Sequence, residues 1–179
     1  TRIGSPYVIE GMQNAAKAGA ELVVGFEANG GFLLGSQVLR DGSRLGPLPT
    51  RDAVLPMLAL LCGAKAGKLK MSEVGYRLPK RFTASDRIQN FATASSLALI
   101  VRLRMDHAAL RELMAPQAGD VVSIDETDGL RVLFASGDIV HLRPSGNAPE
   151  LRCYAESTTV DQAKQLCDDC LLRVLKVAA

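Results

Sequence analysis

The sequence predicts part of an α/β domain with a mostly parallel sheet, followed by a two-layer α+β domain with a four-stranded, largely antiparallel sheet and flanking helices. Two observations support this. Residues 1 to about 76 alternate helical and strand-like segments, which is typical of parallel α/β folds. After a charged, proline-containing stretch, helices precede a run of strands and a closing helix. We therefore place the first domain at 1–76, a linker at 77–87 and the second domain at 88–179.

The first part contains two predicted helices and a strand. In SPYVIEGMQNAAKAG, Ser5 stands at a suitable N-cap, proline follows it, and Gly19 closes the segment. AELVVGFE is a short β-branched run, typical of a buried strand. TRDAVLPMLALLCGAKAGK is apolar on all sides. We therefore expect a buried helix, in which Pro56 lies early enough to bend the helix rather than break it.

The second part begins with ASSLALIVRLRMDHAALRELMA, which predicts one broken helix or two short ones with Asp106 as a cap. The four strand-like segments are DVVSIDETDG, LRVLFASGD, IVHLRPSG and ELRCYAES, and TDG and SGD supply tight-turn residues between the first three. TTVDQAKQLCDDCLLRVLKV closes the chain with the periodicity of an amphipathic helix.

Composition limits the classes of function. The chain has 179 residues, 47% of them hydrophobic, which is enough for packed cores. Its net charge is +2, from 21 basic and 19 acidic residues without a run of five like charges. We therefore expect no nucleic-acid partner. The longest uncharged runs, 53–64 and 88–101, fall short of the roughly 18 residues of a membrane span. With no secretory signal visible, we expect a soluble, cytoplasmic protein without a membrane partner.

The four cysteines, at positions 62, 153, 167 and 170, are expected to be reduced thiols. Cys167 and Cys170 form a C-x-x-C in the closing helix. No second C-x-x-C completes a metal cage, so we interpret the pair as two thiols one helical turn apart rather than as a zinc or redox site. We expect no metal ligand in this chain.

The stretch RPSGNAPELR has the residue types of a phosphate site. Arg143 offers a planar guanidinium that matches two phosphate oxygens, and Ser145 adds a hydroxyl donor. Gly146 and Asn147 allow a tight turn whose N–H groups can face an anion. Arg152 returns on the next strand as a second charge. The alternative is a plain turn with a surface arginine, and the framing prolines and second arginine favour the phosphate site.

The stretch GFEANGG places a carboxylate on a glycine-rich loop after a strand. Glu27 would repel phosphate, but it can accept hydrogen bonds from vicinal sugar hydroxyls, and Asn29 can both donate and accept. The residues alone are equally compatible with a strand-to-helix turn that carries an exposed glutamate. Taken together, the two stretches predict a sugar phosphate held across a cleft.

In this order, the two stretches resemble the α-D-phosphohexomutases, the phosphomannomutase and phosphoglucomutase superfamily. GFEANGG is similar to the sugar-binding loop G-x-E-x-S-G-H, and RPSGNAPELRCYAES to the phosphate-binding loop R-P-S-G-T-E-P-x-x-R-x-Y-x-E. The resemblance covers essentially the whole chain, as the end of the third domain plus the fourth. It implies that Glu27 and Asn29 bind the sugar. The residues implied for the phosphate are Arg143, Ser145, Gly146 and Asn147. Gly31, Asn147 and Ala148 depart from the family pattern.

The resemblance also implies chemistry. A phosphoserine would exchange its phosphoryl group with a hexose phosphate through a hexose 1,6-bisphosphate intermediate, with Mg²⁺ beside the serine. The sequence contains neither the serine loop nor the metal loop of the family, so we expect no catalytic residue here and no activity of this chain alone. The implied partners are the hexose phosphate and the N-terminal domains of the same enzyme, and a first residue that is not Met agrees with a piece of a longer protein.

Three alternatives stay open. A phosphoglucosamine or phospho-N-acetylglucosamine mutase shares both loops. A non-catalytic phosphosugar-binding module would need no serine loop, and a structural α+β domain would bind no ligand. His141 lies on the predicted strand face of Arg143, where it is either a half-buried strand histidine or a supporting residue.

Overall fold

The computed structural model describes residues 1–27 and 30–178, which form two compact units, Thr1–Pro79 and Lys80–Ala179. None of the helices in these residues is both long enough and apolar enough to cross a membrane.

The first unit has three helices and five short strands. The helices are α1 (Ser5–Lys17), α2 (Val54–Ala66) and α3 (Met71–Val74), and the strands are β1 (Val24–Phe26), β2 (Phe32–Leu34), β3 (Val38–Arg40), β4 (Ser43–Leu45) and β5 (Leu48–Asp52). A 3-10 turn follows α3 at Gly75–Arg77. The sheet has the order β1-β2-β5, and β3 pairs with β4 in a separate hairpin. Its small core joins α1 to the sheet through Val8, Met12, Val23 and Leu33.

The predicted parallel sheet is wrong for this unit, because every strand pairing among its described residues is antiparallel. The connections agree with this, since parallel neighbours require a crossover of a dozen or more residues, usually a helix. Short loops join β1 to β2 and β3 to β4, and the longer connection from β2 to β5 contains the β3–β4 hairpin instead of a crossover helix. The hairpin of β3 and β4 turns at Asp41 and Gly42, which both have positive φ, at 49° and 76°. An Asp-Gly pair in this conformation is the type I′ turn that matches the twist of two antiparallel strands.

Two helices of the first unit differ from expectation in detail. The N-cap of α1 is Gly4, whose φ is 131°, and the helix begins at Ser5. The Ser5 hydroxyl is therefore not the cap and bonds elsewhere. Helix α2 is present, but Ala64 is its one buried residue among those described. Its large apolar side chains are mostly exposed, namely Val54, Met57, Leu58, Leu60 and Leu61. Hydrophobicity on all sides predicted burial, and the small sheet of this unit does not supply the cover.

The second unit is a five-stranded antiparallel sheet with helices on one face. Its helices are α4 (Thr93–Met105), α5 (His107–Met114) and α6 (Val160–Ala178), and its strands are β6 (Phe82–Gln89), β7 (Val121–Asp125), β8 (Leu130–Phe134), β9 (Ile139–Pro144) and β10 (Glu150–Ser157). The sheet order is β6-β10-β9-β8-β7. The predicted α+β architecture is confirmed. Asp106 separates α4 from α5, and its Oδ1 caps α5 by accepting from the N–H of Ala109 at 2.9 Å.

The strand count is corrected from four to five. Strand β6 lies largely within 77–87, the predicted linker, yet all eight of its residues pair with β10. An edge strand leaves many side chains in water, so β6 lacks the hydrophobic alternation by which the other strands are recognised.

The core of the second unit lies between the sheet and its helices. Alternate residues of β10 point into it, with Leu151, Cys153 and Ala155 buried while residues 150, 152 and 154 remain partly exposed. Cys167 and Cys170 on α6 are buried near Cys153, whose carbonyl oxygen accepts from Cys167 Sγ at 3.6 Å. Hydrogen bonding to the two helix thiols, together with burial, raises the pKa of Cys153. Among the described residues, no group of three His, Cys, Asp or Glu could hold a metal ion.

We predict that Leu103→Ala destabilises the second unit by about 2–5 kcal/mol, because it removes a core side chain and leaves a cavity. Leu103 is fully buried in α4, whereas Leu97 on the same helix is 53% exposed. Leu97→Ala is therefore the matched control and should change the free energy of unfolding by about 0.5 kcal/mol or less. Urea unfolding followed by circular dichroism measures both. Equal losses would contradict this assignment of the core.

Candidate functional site

Three arginines lie side by side on the sheet face of the second unit that the helices leave open. The strand register places Arg152 of β10 directly opposite Arg143 of β9 on one side and Arg87 of β6 on the other. Opposed residues on neighbouring strands project from the same face, with Cβ atoms about 4.5–5.5 Å apart. Like charges in this arrangement repel each other, so the row needs negative charge to be stable.

Two carboxylates supply part of that charge. Asp128 Oδ2 lies 2.7 Å from Arg143 Nε, and the two side chains are only 20% and 13% exposed. Glu150 lies between the other two arginines, with Oε2 3.3 Å from Arg152 Nη2 and Oε1 3.4 Å from Arg87 Nε. The Asp128 pair is largely shielded from water, so its attraction is screened less than that of an exposed ion pair.

Two guanidinium N–H groups in this row have no aligned acceptor. The Nε atoms of Arg143 and Arg152 are buried, and no described residue accepts a hydrogen bond from either. The short contact between Arg143 Nε and Asp128 is therefore an attraction between charges rather than an aligned hydrogen bond. A buried donor without an acceptor costs about 1–3 kcal/mol, more if it is charged. Oxygen atoms of an anionic ligand would remove this cost.

The loop between β9 and β10 begins one strand pair beyond Arg143 and Arg152. Ser145 is buried, and its N–H donates to the Glu150 carbonyl oxygen at 2.9 Å. Its Oγ accepts from the N–H of Asn147 at 3.4 Å, which leaves the hydroxyl proton able to donate. Gly146 and Asn147 are exposed at the tip. Pro149 anchors the far end, where its carbonyl oxygen accepts from the N–H of Phe91 at 2.8 Å.

The turn before β8 brings Asp128 to Arg143. Gly129 has a φ of 94°, and a Cβ atom there would collide with the Leu142 carbonyl oxygen and lie 3.0 Å from the Arg143 Cα. Only glycine therefore lets this turn approach β9 so closely. The TDG stretch predicted a turn, but nothing in the sequence indicated that its aspartate, Asp128, pairs with Arg143.

His141 supports the same turn. Its Nε2 lies 2.5 Å from the Asp128 carbonyl oxygen, and its ring packs on Tyr154 with centroids 5.6 Å apart. Burial lowers the pKa of His141, and the hydrogen bond to Asp128 opposes that shift. A neutral histidine facing a carbonyl oxygen must carry its proton on Nε2, so His141 donates this bond. Of the two predicted roles, the geometry favours support of the Arg143 partner.

An open hollow of about 260 Å³ adjoins the row at its outer edge. It is lined by Ser85, Asp86, Arg87, Arg152 and Tyr154. Hydrogen bonding to Tyr154 raises the pKa of Arg152, and Glu150 adds to the effect while burial opposes it. Arg87 and Glu150 were both missed from the sequence, because the first lay in the predicted linker and the second only continued the loop.

Glu27 lies in the first unit, where it is bound by its own chain. Its Oε2 accepts from Ser5 Oγ at 2.9 Å and lies 3.1 Å from Arg51 Nε, and the side chain is 6% exposed. Arg51 Nε also donates to Ser5 Oγ at 3.1 Å. The Glu27 carbonyl oxygen accepts from the N–H of Gly30 at 2.9 Å. Asn29 lies outside the described residues. Arg51 was not predicted as the partner of Glu27, because one opposite charge shortly before α2 is a weak signal in the sequence.

The structure therefore brings the five predicted phosphate-binding residues together in one hairpin of the second unit. They are Arg143, Ser145, Gly146, Asn147 and Arg152. To them it adds Arg87, Asp128 and Glu150. The arrangement is a cationic surface with directed donors, suited to an oxyanion.

Comparison with known proteins gives concordant matches. Residues 98–172 match the model of the phosphoglucomutase/phosphomannomutase C-terminal domain. The chain is 46% identical over 168 residues to a phosphomannomutase of Sinorhizobium fredii, which covers 93% of this chain and 35% of that protein. It is 41% identical over 174 residues to a phosphomannomutase of Salmonella muenchen, with coverages of 97% and 36%. The chain spans about a third of the length of these curated relatives.

The fold is also found in a solved structure. A crystal structure of a phosphoglucomutase/phosphomannomutase family protein from Burkholderia thailandensis matches with a TM-score of 0.61 and 21% sequence identity. The match covers 98% of this chain and 31% of that chain. At this identity the likeness bears on the fold alone.

We predict that Gly129→Ala destabilises the second unit by clearly more than Gly137→Ala. Both glycines have positive φ, 94° and 84°, so each alanine incurs roughly 1–2 kcal/mol of backbone strain. Only at Gly129 does the new Cβ also collide with β9, because nothing lies within 4 Å at Gly137. Urea unfolding measures the difference between the two variants. Equal destabilisation would show that the close approach at Arg143 is not required.

Proposed function

The chain belongs, through the C-terminal domain formed by residues 98–172, to the phosphoglucomutase/phosphomannomutase family, and we propose from this premise that it is the ligand-positioning part of a mutase. The enzyme would interconvert hexose 6-phosphate and hexose 1-phosphate, with phosphomannomutase activity favoured by the names of the relatives. The resemblance carried by the two loops is thereby confirmed for the family. The observation that carries the proposal is the opposed pair of arginines next to the loop, whose buried Nε groups have no aligned hydrogen-bond acceptor among the described residues.

In the proposed reaction, the loop holds the phosphate that is not reacting. Arg143 and Arg152 would donate guanidinium N–H groups to its oxygens, and Ser145 would donate its hydroxyl proton. The backbone N–H of Gly146, at the exposed tip, would complete the cradle. These contacts are made to the phosphate and not to one face of the sugar. The site can therefore bind either phosphate of the bisphosphate intermediate.

Glu27 and Asn29 are proposed to bind the sugar hydroxyls. The Ser5 and Arg51 contacts converge on Glu27 Oε2, and a carboxylate has roughly four acceptor positions on its two oxygens. Ser5 and Arg51 also orient the buried carboxylate. An oriented acceptor is what recognition of vicinal hydroxyls requires.

The phosphoryl donor and the metal are assigned to the rest of the enzyme. The family chemistry uses a phosphoserine and Mg²⁺, and the metal would neutralise charge on the transferring group. The described residues here contain no group suited to hold a metal ion. We propose that the serine and the Mg²⁺ ligands belong to the other domains of the enzyme, because the sequence contains neither the serine loop nor the metal loop of the family.

The proposed partners of this chain are the hexose phosphate and the N-terminal domains of the same enzyme. Exposed apolar side chains along α2, such as Leu58 and Leu61, support this, because such surface is normally covered by another part of a protein. The free thiols are Cys62 and the three buried cysteines of the second unit, which are typical of a reducing compartment, so we propose a cytoplasmic location.

We predict that Arg143→Ala weakens binding of inorganic phosphate to the 179-residue chain by about tenfold or more, the loss expected for a charge-assisted hydrogen bond. Arg143→Lys should recover only part, because lysine keeps the charge but loses the planar fork. Arg131→Ala is the matched control, since Arg131 lies on β8 opposite His141, on the same sheet face. Calorimetric titration measures all four proteins. An equal loss in the Arg131 variant would reduce the effect to general charge and contradict the site.

We further predict that the 179-residue chain alone does not interconvert hexose phosphates, whereas the enzyme that contains it does. In that enzyme Arg143→Ala should lower kcat/KM by about tenfold or more. Competition between mannose, glucose and glucosamine phosphates would identify the preferred sugar and separate a phosphoglucosamine mutase. Turnover by the purified chain itself, or full activity of the Arg143 variant, would contradict the proposal.

A further inference from the structure

We propose that the hollow at the outer edge of the arginine row is a second oxyanion subsite, separate from the loop, in which Arg87 and Arg152 bind a phosphoryl group. Its ligand chemistry is a tetrahedral dianion, either inorganic phosphate or the phosphoryl group of a sugar phosphate. Glu150 is the carboxylate that holds the two arginines until an anion replaces it. The hollow shares Arg152 with the proposed phosphate site of the loop, whereas its other lining residues, Arg87 among them, lie outside that site.

The lining side chains form two rows on one face of the sheet. Arg87 is opposite Arg152, and one step along the same strands Ser85 is opposite Tyr154. A pair of guanidinium groups is thus bordered by a pair of hydroxyl groups. The Tyr154 hydroxyl lies close enough to Arg152 to raise its pKa, and a phenol can both accept a hydrogen bond and donate its own proton. The hollow is therefore lined by four side chains that can donate, and it suits a ligand that only accepts.

Asp86 also lines the hollow, but its carboxylate is turned away from the arginines. It stands opposite Cys153, whose side chain points to the helix-covered face, whereas Arg87 points to the open face. Its Oδ1 accepts from the N–H of Arg87 at 2.8 Å. Asp86 therefore contributes negative charge at the strand edge and does not occupy the position between the arginines.

Glu150 holds the arginines loosely. Its contacts with Arg87 and Arg152 are 3.4 and 3.3 Å, longer than the roughly 2.7–2.9 Å of strong charge-assisted hydrogen bonds. One carboxylate thus serves two cations, while Arg152 Nε keeps no acceptor among the described residues. A phosphate dianion has more acceptor oxygens and more charge than a carboxylate. Arg87 is half exposed and can swing to meet it.

The hollow and the loop are distinct places. Arg87 and Arg143 stand on strands separated by β10, which sets them roughly 10 Å apart at the usual strand spacing. Arg152 lies between them. One anion can therefore bind at each end of the row, and removing one outer arginine should leave the other end intact.

The experiment is a titration of the isotopically labelled 179-residue chain with inorganic phosphate at constant ionic strength, followed by NMR. The Nε–H signal of Arg87 reports on the hollow, and the backbone amide of Gly146 reports on the loop. Arg152 lies between the two places and responds to an anion in either. We expect the Arg87 and Gly146 signals to shift and saturate. Arg87→Gln should weaken binding in the hollow by about tenfold or more, as removal of a charge-assisted hydrogen bond predicts, and should leave the Gly146 response unchanged.

The Glu150→Gln variant tests whether Glu150 competes with phosphate in the hollow or only supports the structure there. It removes the resident negative charge, so phosphate binding in the hollow should tighten by about threefold or more. A purely structural role of Glu150 predicts weaker binding instead. Arg131→Ala is the control and should change neither signal. If Glu150→Gln weakens binding, or if Arg131→Ala weakens it as much as Arg87→Gln does, the subsite is overturned.

The same signals separate this inference from the proposed function and identify the ligand source. A shift of Gly146 without a shift of Arg87 overturns the hollow and leaves the loop site standing, whereas a shift of Arg87 without a shift of Gly146 does the reverse. A repeat with hexose monophosphate distinguishes the two sources. Saturation by both compounds shows that a sugar-borne phosphoryl group enters, and saturation by inorganic phosphate alone assigns the hollow to the free ion. Either result supports an oxyanion subsite.

Discussion

The register that aligns β9, β10 and β6 is the constraint on which the open sheet face depends. It places Arg143, Arg152 and Arg87 in one row while the next residues along β9 and β10, Leu142 and Cys153, enter the core. A slip of one residue would bury the arginines and expose the apolar side chains, at a cost that no surface ion pair could offset. Packing on the helix side therefore fixes the charges on the other side.

This dependence explains which parts of the site the sequence could predict. The loop residues lie within ten consecutive positions, so their types alone indicated an anion site. Arg87 and Asp128 come from strand and turn segments far along the chain, and only strand pairing brings them to the row. The sequence predicts a linker where most of β6 lies, because the polar residues of this strand give no hydrophobic alternation. One of those polar residues is Arg87.

The first unit shows the complementary limit. Alternating helices and strands predicted a parallel sheet, but short connections such as Asp41-Gly42 impose antiparallel pairing, and connection length outweighs element order. For α2, the apolar residues on all sides correctly predicted an apolar helix. Such a sequence shows that the helix surface favours burial, but it does not show which segment covers that surface. Ser5 was expected to cap its helix, but Gly4 is the N-cap and Ser5 is already the first helical residue, so its hydroxyl is available to donate to Glu27.

The two carboxylates in the row restrain their arginines to different degrees, and this bears on the proposed reaction. Asp128 is fixed by the close turn at Gly129 and by His141, so Arg143 is oriented before a ligand arrives, which lowers the ordering cost of binding. The same carboxylate also offsets part of the positive charge and so limits how tightly a phosphate is held. In the proposed mutase, the bisphosphate intermediate must dissociate from this phosphate site, turn and bind again. An oriented arginine whose charge is partly neutralised suits this exchange better than an arginine without a carboxylate partner.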